Sequence, residues 1–128
     1  MPPPVTPNGP YIELGSKEAL AAQRAYAQTF NNSQGPLVIG RLEDTAAGAD
    51  MGMTRLNEPD WTINVNDAWI QGGVDAQQPF YLGSPIKIGN LRSGNPIYPT
   101  TVYFRKLQQL RAAGHYREGD LMLPPEGN

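Results

Sequence analysis

The segment from Asp60 to Pro85, which contains both tryptophans of the chain, constrains the fold more than any other stretch. Its apolar residues follow the i, i+3, i+4, i+7 spacing of one helix face: Val65, Ala68, Trp69 and Gly72. Thr62 is a suitable N-cap for this helix, and the Gly72-Gly73 pair is a stop signal. Residues 79–83 then predict a short buried strand, so the centre of the chain is a helix followed by a strand.

Two further helices and two further strands are predicted around this centre. The helices are expected from Ser16 to about Asn31 and from Val102 to Ala113, and Thr100 or Thr101 caps the second. Apolar runs predict strands at 36–42 and 116–123. Residues 48–60 are expected to form a loop with at most a turn of helix. Residues 84–99 predict an irregular excursion with a short strand at 86–88.

The order of these elements predicts a small single α/β domain: an N-terminal helix, then strand-helix-strand-helix-strand around a short sheet. Strands that alternate with helices usually pair in parallel through crossovers. The alternative is an α+β arrangement with a mostly antiparallel sheet. We expect residues 11–128 to form one globular domain, because a chain of 128 residues can bury a single core. Residues 1–10 contain five prolines and predict a proline-rich linker.

Composition excludes several kinds of chemistry. The chain has no cysteine and one histidine, His115, which excludes disulfides, thiolate nucleophiles and mechanisms that need two histidines. No apolar run approaches the roughly 20 residues of a membrane span. The net charge is -2, yet residues 87–117 contain basic side chains and no carboxylate, so a one-sided positive face is expected.

The strongest candidate site follows the first buried strand, where Arg41, Glu43 and Asp44 lie close together in the sequence. Ligands of open α/β sheets bind beyond the carboxyl ends of the strands. Arg41 can bind a phosphate through two hydrogen bonds, and Asp44 or Glu43 can act as a base or hold a metal ion. Alternatively, Asp44 caps a turn of helix and Arg41 pairs with an acid.

Other candidates are spread along the chain. Asp67 and Gln71 lie one helical turn apart beside Trp69, so one ligand can meet both, or they can be buried structural partners. Tyr81 and Ser84 supply hydroxyl groups near the second strand. His115 is a base with a pKa near neutrality, although a histidine at this position is usually an exposed residue at the helix end.

Four stretches carry a resemblance to a known family: IGRLEDTA (39–46), PDWTINVNDAWIQGGVD (59–75), FYLGSP (80–85) and TVYFRKLQQLRAAGHYREGDLMLPP (101–125). They resemble a C-terminal domain at the end of Rhs-type and related polymorphic toxins of bacteria, over roughly residues 36–125. The resemblance implies a larger carrier protein, secretion as part of that effector, action in the cytoplasm of a target cell, and a cognate immunity protein that binds the toxin.

These observations lead to three hypotheses for the function. The first is a nuclease that acts on RNA or DNA, in which Arg41, Arg105 or Lys106 holds phosphate. In this hypothesis Asp44 and Glu43 supply acid-base chemistry or bind a metal ion such as Mg²⁺. The second is a toxin that cleaves NAD or transfers its ADP-ribosyl group. The third is a binding module without enzymatic activity.

Overall fold

A computed structural model describes residues 16–30, 36–97 and 99–125, so the predicted linker at 1–10 lies outside the described residues. The described part contains five helices and a four-stranded mixed sheet, and the prediction of a small mixed α/β fold is confirmed. In chain order the elements are α1 Lys17–Gln28, β1 Leu37–Ile39, α2 Leu42–Asp50, α3 Ile63–Asp75, β2 Phe80–Leu82, α4 Ile88–Leu91, α5 Val102–Ala112, β3 Tyr116–Glu118 and β4 Leu121–Leu123. No described helix is both long and apolar enough to cross a membrane.

The chain divides into two compact units, of which the first contains α1 and α3. The predicted caps form: the Ser16 hydroxyl accepts the Ala19 N–H at 3.1 Å, and the Thr62 hydroxyl accepts the Val65 N–H at 3.2 Å. Trp69 is fully buried, as expected for a residue on the apolar face of α3, and its Nε1 donates to Gln28 Oε1 at 3.1 Å. Local signals therefore predicted both helix starts.

Gly72 has a different role from the predicted one, because α3 continues through it to Asp75. A Cβ atom at this position would lie 2.4 Å from Thr29 Oγ1 and 2.5 Å from the Tyr26 carbonyl oxygen. The prediction that the glycine pair ends the helix is thus wrong. The glycine allows the C-terminal end of α1 to approach the backbone of α3 closely, as small residues do at tight helix crossings.

The second unit contains the sheet, with the strand order β1-β2-β4-β3. β1 pairs with β2 in parallel, and Leu37 lies opposite Phe80. β4 pairs antiparallel with both β2 and β3. The single strand expected at 116–123 is therefore a hairpin, which turns at Gly119 with a φ of 63°. The sheet combines the parallel pairing and the antiparallel pairing that were predicted as alternatives.

Three local predictions differ from the structure. β1 ends at Ile39, whereas the strand was predicted to continue to residue 42, and α2 occupies Leu42–Asp50, although a turn of helix was expected only within 48–60. Three alanines at 46, 47 and 49 favour this helix. Gly48 in α2 lies against Val38, and a Cβ there would come within 2.8 Å of Val38 Cγ2. α4 occupies 88–91, so the short strand predicted at 86–88 does not form.

Candidate functional site

The carboxyl ends of the parallel strands β1 and β2 meet at a tightly packed corner. Gly83 donates its N–H to the Ile39 carbonyl at 2.9 Å and so continues the pairing beyond the strands. Gly40 has a φ of 146°, and a Cβ there would lie 2.6 Å from the Ser84 hydroxyl oxygen. A glycine is therefore required at 40 both for its backbone conformation and for the close approach of Ser84.

Ser84 connects three elements at this corner. Its hydroxyl donates to Asp44 Oδ2 at 2.6 Å and accepts the backbone N–H of Arg41 at 2.7 Å. Its carbonyl accepts the Tyr103 hydroxyl at 2.6 Å, which connects α5 to the same corner. Ser84 is fully buried. Its hydroxyl therefore fixes the start of α2 and does not face a ligand.

A groove of about 430 Å³ lies beside this corner, and we call it the Arg41 groove. Its lining includes Arg41, Leu42, Glu43, Asn90, Arg92 and Val102. The Arg41 guanidinium donates to Asn90 Oδ1 at 3.1 Å, and its Nε lies 3.8 Å from Glu43 Oε1. The side chains of Arg41 and Glu43 are 57% and 73% exposed, so a ligand can reach both. The groove thus combines two guanidinium groups with one accessible carboxylate.

Of the four candidates predicted near the first two strand ends, Arg41 and Glu43 face this groove, whereas Asp44 and Ser84 lie behind it. Asp44 is half-buried and accepts the hydrogen bond from Ser84. Its carboxylate has a structural role, but it does not cap a turn of helix as the structural alternative from the sequence expected, because Asp44 lies inside α2 and binds Ser84. Asn90, Arg92 and Tyr103 were not predicted to belong to this site, although Arg92 lies in the basic run 87–117, because only the folded chain brings α4 and α5 to the end of β1.

A second groove of about 780 Å³ lies in the same unit, and we call it the α5 groove. Half of its lining residues are apolar: Leu82, Ile86, Leu91, Phe104, Leu107 and Met122. His115 lines it together with Arg111 and Arg117. The His115 ring lies edge-on to Phe80 with 5.7 Å between ring centroids, and the residue is only 3% exposed. The expectation of an exposed histidine at the helix end is therefore wrong.

The candidates on α3 belong to the first unit and do not form the predicted shared site. Gln71 Nε2 donates to Asp75 Oδ1 at 2.7 Å. The Gln71 amide is therefore directed at Asp75 and does not form a shared site with Asp67. Asp67 and Trp69 are both fully buried. Asp75 also accepts the Tyr26 hydroxyl, and this hydrogen bond raises the pKa of Tyr26 to about 12. The buried structural role considered as the alternative fits Asp67 and Trp69 better than contact with a substrate.

The basic residues of α5 do not form one exposed face. Lys106 is only 8% exposed, and burial lowers the pKa of its ammonium group from 10.5 to about 8. Arg105 is half-buried, as is Tyr81 on β2. None of these three predicted substrate-binding residues lines the Arg41 groove or the α5 groove. The described residues contain no group of three or more histidines or carboxylates that could hold a metal ion.

Comparisons with known proteins do not assign either groove: no family model, curated protein or solved structure matches the chain. Any assignment of function therefore depends on the geometry of the two grooves and on the sequence resemblance. Of the two grooves, only the Arg41 groove places a carboxylate beside guanidinium groups. The Arg41 groove is therefore the candidate active site.

Proposed function

We propose that this chain is the effector domain of an interbacterial toxin, and that it cleaves phosphodiester bonds of RNA or DNA in the Arg41 groove. One observation carries this proposal. The exposed guanidinium of Arg41 is held by Asn90, and the carboxylate of Glu43 lies 3.8 Å from it in a groove that Arg92 also lines. Two cations beside one accessible carboxylate suit a phosphate and the base that activates its attacking group.

The residues have separate roles in this mechanism. Arg41 and Arg92 bind the nonbridging oxygens of the phosphate and stabilise the charge that develops on them during attack. Glu43 accepts the proton of the attacking oxygen, which is a ribose 2′-hydroxyl in RNA or a water molecule in DNA. The oxygen–phosphorus bond to the leaving nucleotide then breaks, and a solvent water protonates the leaving oxygen. Asp44 and Ser84 position the backbone of Arg41.

Delivery and inhibition follow from the sequence resemblance. We propose that the natural chain is fused to a larger secreted carrier and acts in the cytoplasm of the target cell. A producing cell then needs an immunity protein that covers the Arg41 groove. The exposed side chains of Lys87, Arg41 and Arg92 at or near this groove favour an acidic inhibitor, because complementary charge accelerates association.

The direct test is to incubate the purified chain with RNA, DNA and NAD, with and without Mg²⁺, and to separate the products. Glu43→Gln should lower cleavage by about 10²–10⁴-fold, the usual range for removing a general base. Because Glu43 is exposed, the melting temperature of the Glu43→Gln variant should stay close to that of the unmodified chain. Glu118→Gln, an exposed carboxylate outside both grooves, is the matched control and should cleave normally.

Each outcome of this assay decides between the hypotheses. Full cleavage by both Glu43→Gln and Arg41→Gln would remove the proposed site. Cleavage of NAD without cleavage of nucleic acid would replace the nuclease with the NAD-cleaving or ADP-ribosyl-transferring alternative. Binding of RNA or DNA without any product would leave a binding module.

One feature favours the nucleotide alternative. Leu42 and Val102 line the Arg41 groove and are 74% and 38% exposed. Exposed apolar side chains beside two guanidinium groups can cover a nicotinamide or adenine ring while the cations bind the pyrophosphate. For this reason NAD belongs in the first assay, with the same Glu43 and Arg41 variants.

A further inference from the structure

We propose that the α5 groove is a second ligand site, and that it binds a small organic anion with an aliphatic body, of which a medium-chain carboxylate is the simplest example. No residue that lines this groove lines the Arg41 groove. The proposal is therefore independent of the nuclease function, and either can fail without the other.

The size and the walls of the groove point to an apolar ligand body. Its volume of about 780 Å³ lies within the range of roughly 300–1,000 Å³ that is typical of small-molecule sites. Phe104 and Leu107 come from α5, Leu91 from α4, and Met122 from β4. The first three are half-buried, so they expose apolar surface that a ligand would remove from water.

The charge of the groove points to an anionic head group. Arg111 and Arg117 both line the groove and are exposed, and neither forms a salt bridge with a carboxylate among the described residues. Arg117 uses its Nε to donate to the Gly119 carbonyl at 3.0 Å, and this bond directs its guanidinium. No aspartate or glutamate of the described chain lines the groove. A carboxylate bound here would therefore meet two guanidinium groups and no carboxylate in the lining.

The aliphatic side chains in the walls favour an aliphatic anion over a nucleobase. Proteins that bind single-stranded nucleic acid stack the bases on aromatic side chains. Three rings line the groove, from Phe104, Tyr116 and the buried His115, whereas five other lining residues are leucine, isoleucine or methionine. Such side chains pack well against a flexible hydrocarbon chain and offer no hydrogen bonds to the edge of a base.

Titration of the ¹⁵N-labelled chain with decanoate, followed by NMR, tests the proposal. We expect saturable shifts at backbone amides of α5 and β3, below the concentration at which decanoate forms micelles. Decanol has the same chain without the charge and should bind at least about tenfold more weakly, because its neutral hydroxyl forms weaker hydrogen bonds to guanidinium groups than a carboxylate does. Decyltrimethylammonium, with the opposite charge, should not bind.

Variants of the two arginines locate the head group. Arg111→Gln and Arg117→Gln should each weaken decanoate binding by about tenfold. Arg92→Gln is the matched control, because Arg92 is also exposed but lines the other groove, and this variant should bind decanoate as the unmodified chain does. Equal affinity for decanol and decanoate would overturn the proposal. So would unchanged affinity in both arginine variants, or shifts that map to the Arg41 groove.

Discussion

Ser84 occupies a fully buried position between the ends of β1 and β2, where one hydroxyl group serves two partners. It donates to the Asp44 carboxylate and accepts the N–H of Arg41, both within 2.7 Å. Without this hydroxyl, a carboxylate oxygen and a backbone N–H would lose their hydrogen bonds where water enters poorly. Groups left unsatisfied in this way cost about 1–3 kcal/mol.

Ser84→Ala should therefore lower the free energy of unfolding by about 1–3 kcal/mol, as measured by urea denaturation. It should also lower cleavage in the Arg41 groove, because the start of α2 that carries Arg41 and Glu43 is no longer fixed. Thr100→Ala, which removes an exposed hydroxyl outside both grooves, is the control and should be close to neutral. A Ser84→Ala chain as stable as the original would contradict the role assigned to this hydroxyl.

Lys106 gives the chain a predictable pH dependence. Burial lowers its pKa in the folded state to about 8, whereas the unfolded chain keeps the ordinary value of 10.5. Between these two values the unfolded chain binds more protons than the folded chain, so stability rises with pH in this window. The free energy of unfolding is therefore higher above pH 10.5 than below pH 8, by about 3 kcal/mol. This added stability is lost as the pH falls through 8.

Urea denaturation at pH 7, 8, 9 and 9.5 should show this rise, and Lys106→Met should remove it. Measurements should stop below pH 10, because Tyr26 and Tyr103 have pKa values raised to about 12 and act in the opposite direction above that pH. Their ordinary value is 10, so the unfolded tyrosines lose protons first and stability falls. A flat profile between pH 8 and 9.5 would show that Lys106 reaches water.

At the scale of the elements, the contact between α1 and α3 depends on the missing side chain of Gly72. Alanine is the better helix former by about 1 kcal/mol, so propensity alone would favour Gly72→Ala. The new Cβ, however, would meet the Tyr26 carbonyl at 2.5 Å, and a backbone group cannot rotate away. Moving the two helices apart should destabilise the fold by more than the higher helix propensity of alanine stabilises it.

Gly72→Ala should thus lower the free energy of unfolding by about 1–3 kcal/mol in the same denaturation experiment. Gly89→Ala provides the matched control, because Gly89 also lies in a helix but has nothing within 4 Å of a built Cβ. That substitution should be neutral or slightly stabilising. If Gly72→Ala were equally harmless, the close approach of the helices would not be required for stability.

The elements also show which features the sequence can predict. Ser16, Thr62 and Thr101 each cap a helix through a hydrogen bond to a residue three positions later, so their role is visible locally. The Ser84–Asp44 contact spans 40 residues and exists only because β1 and β2 pair in parallel. His115 is buried with its ring against Phe80, 35 residues earlier in the sequence, and no local pattern indicates this contact.

At the scale of the whole molecule, the net charge of -2 conceals an uneven surface. Lys87, Arg92 and Arg111 are exposed in the second unit, whereas Lys106 is buried and cannot contribute a surface charge. An acidic partner would be attracted to the exposed arginines and to Lys87. The partner prediction is therefore best tested at Arg92, which lines the Arg41 groove.

We expect the association rate of an acidic immunity protein to fall steeply as salt rises, with little change in dissociation. Arg92→Glu should slow association by about tenfold at low ionic strength, as electrostatic steering predicts. Lys17→Glu makes the same change in net charge in the first unit, at a side chain that is 84% exposed, and should have a much smaller effect. Stopped-flow binding distinguishes the two, and a salt-independent rate would remove the steering hypothesis.

The position of β3 at the end of the strand order has a consequence for how copies of this chain meet. All three of its residues are exposed, and two of them, Arg117 and Glu118, are charged. If two copies joined these strands antiparallel about their midpoints, each Arg117 would face its counterpart, and like charges directly opposite destabilise such a pairing. At the other end, Thr54 pairs with Leu37 and occupies part of the β1 edge. Both edges of the described sheet therefore carry features that disfavour pairing with the sheet of another copy.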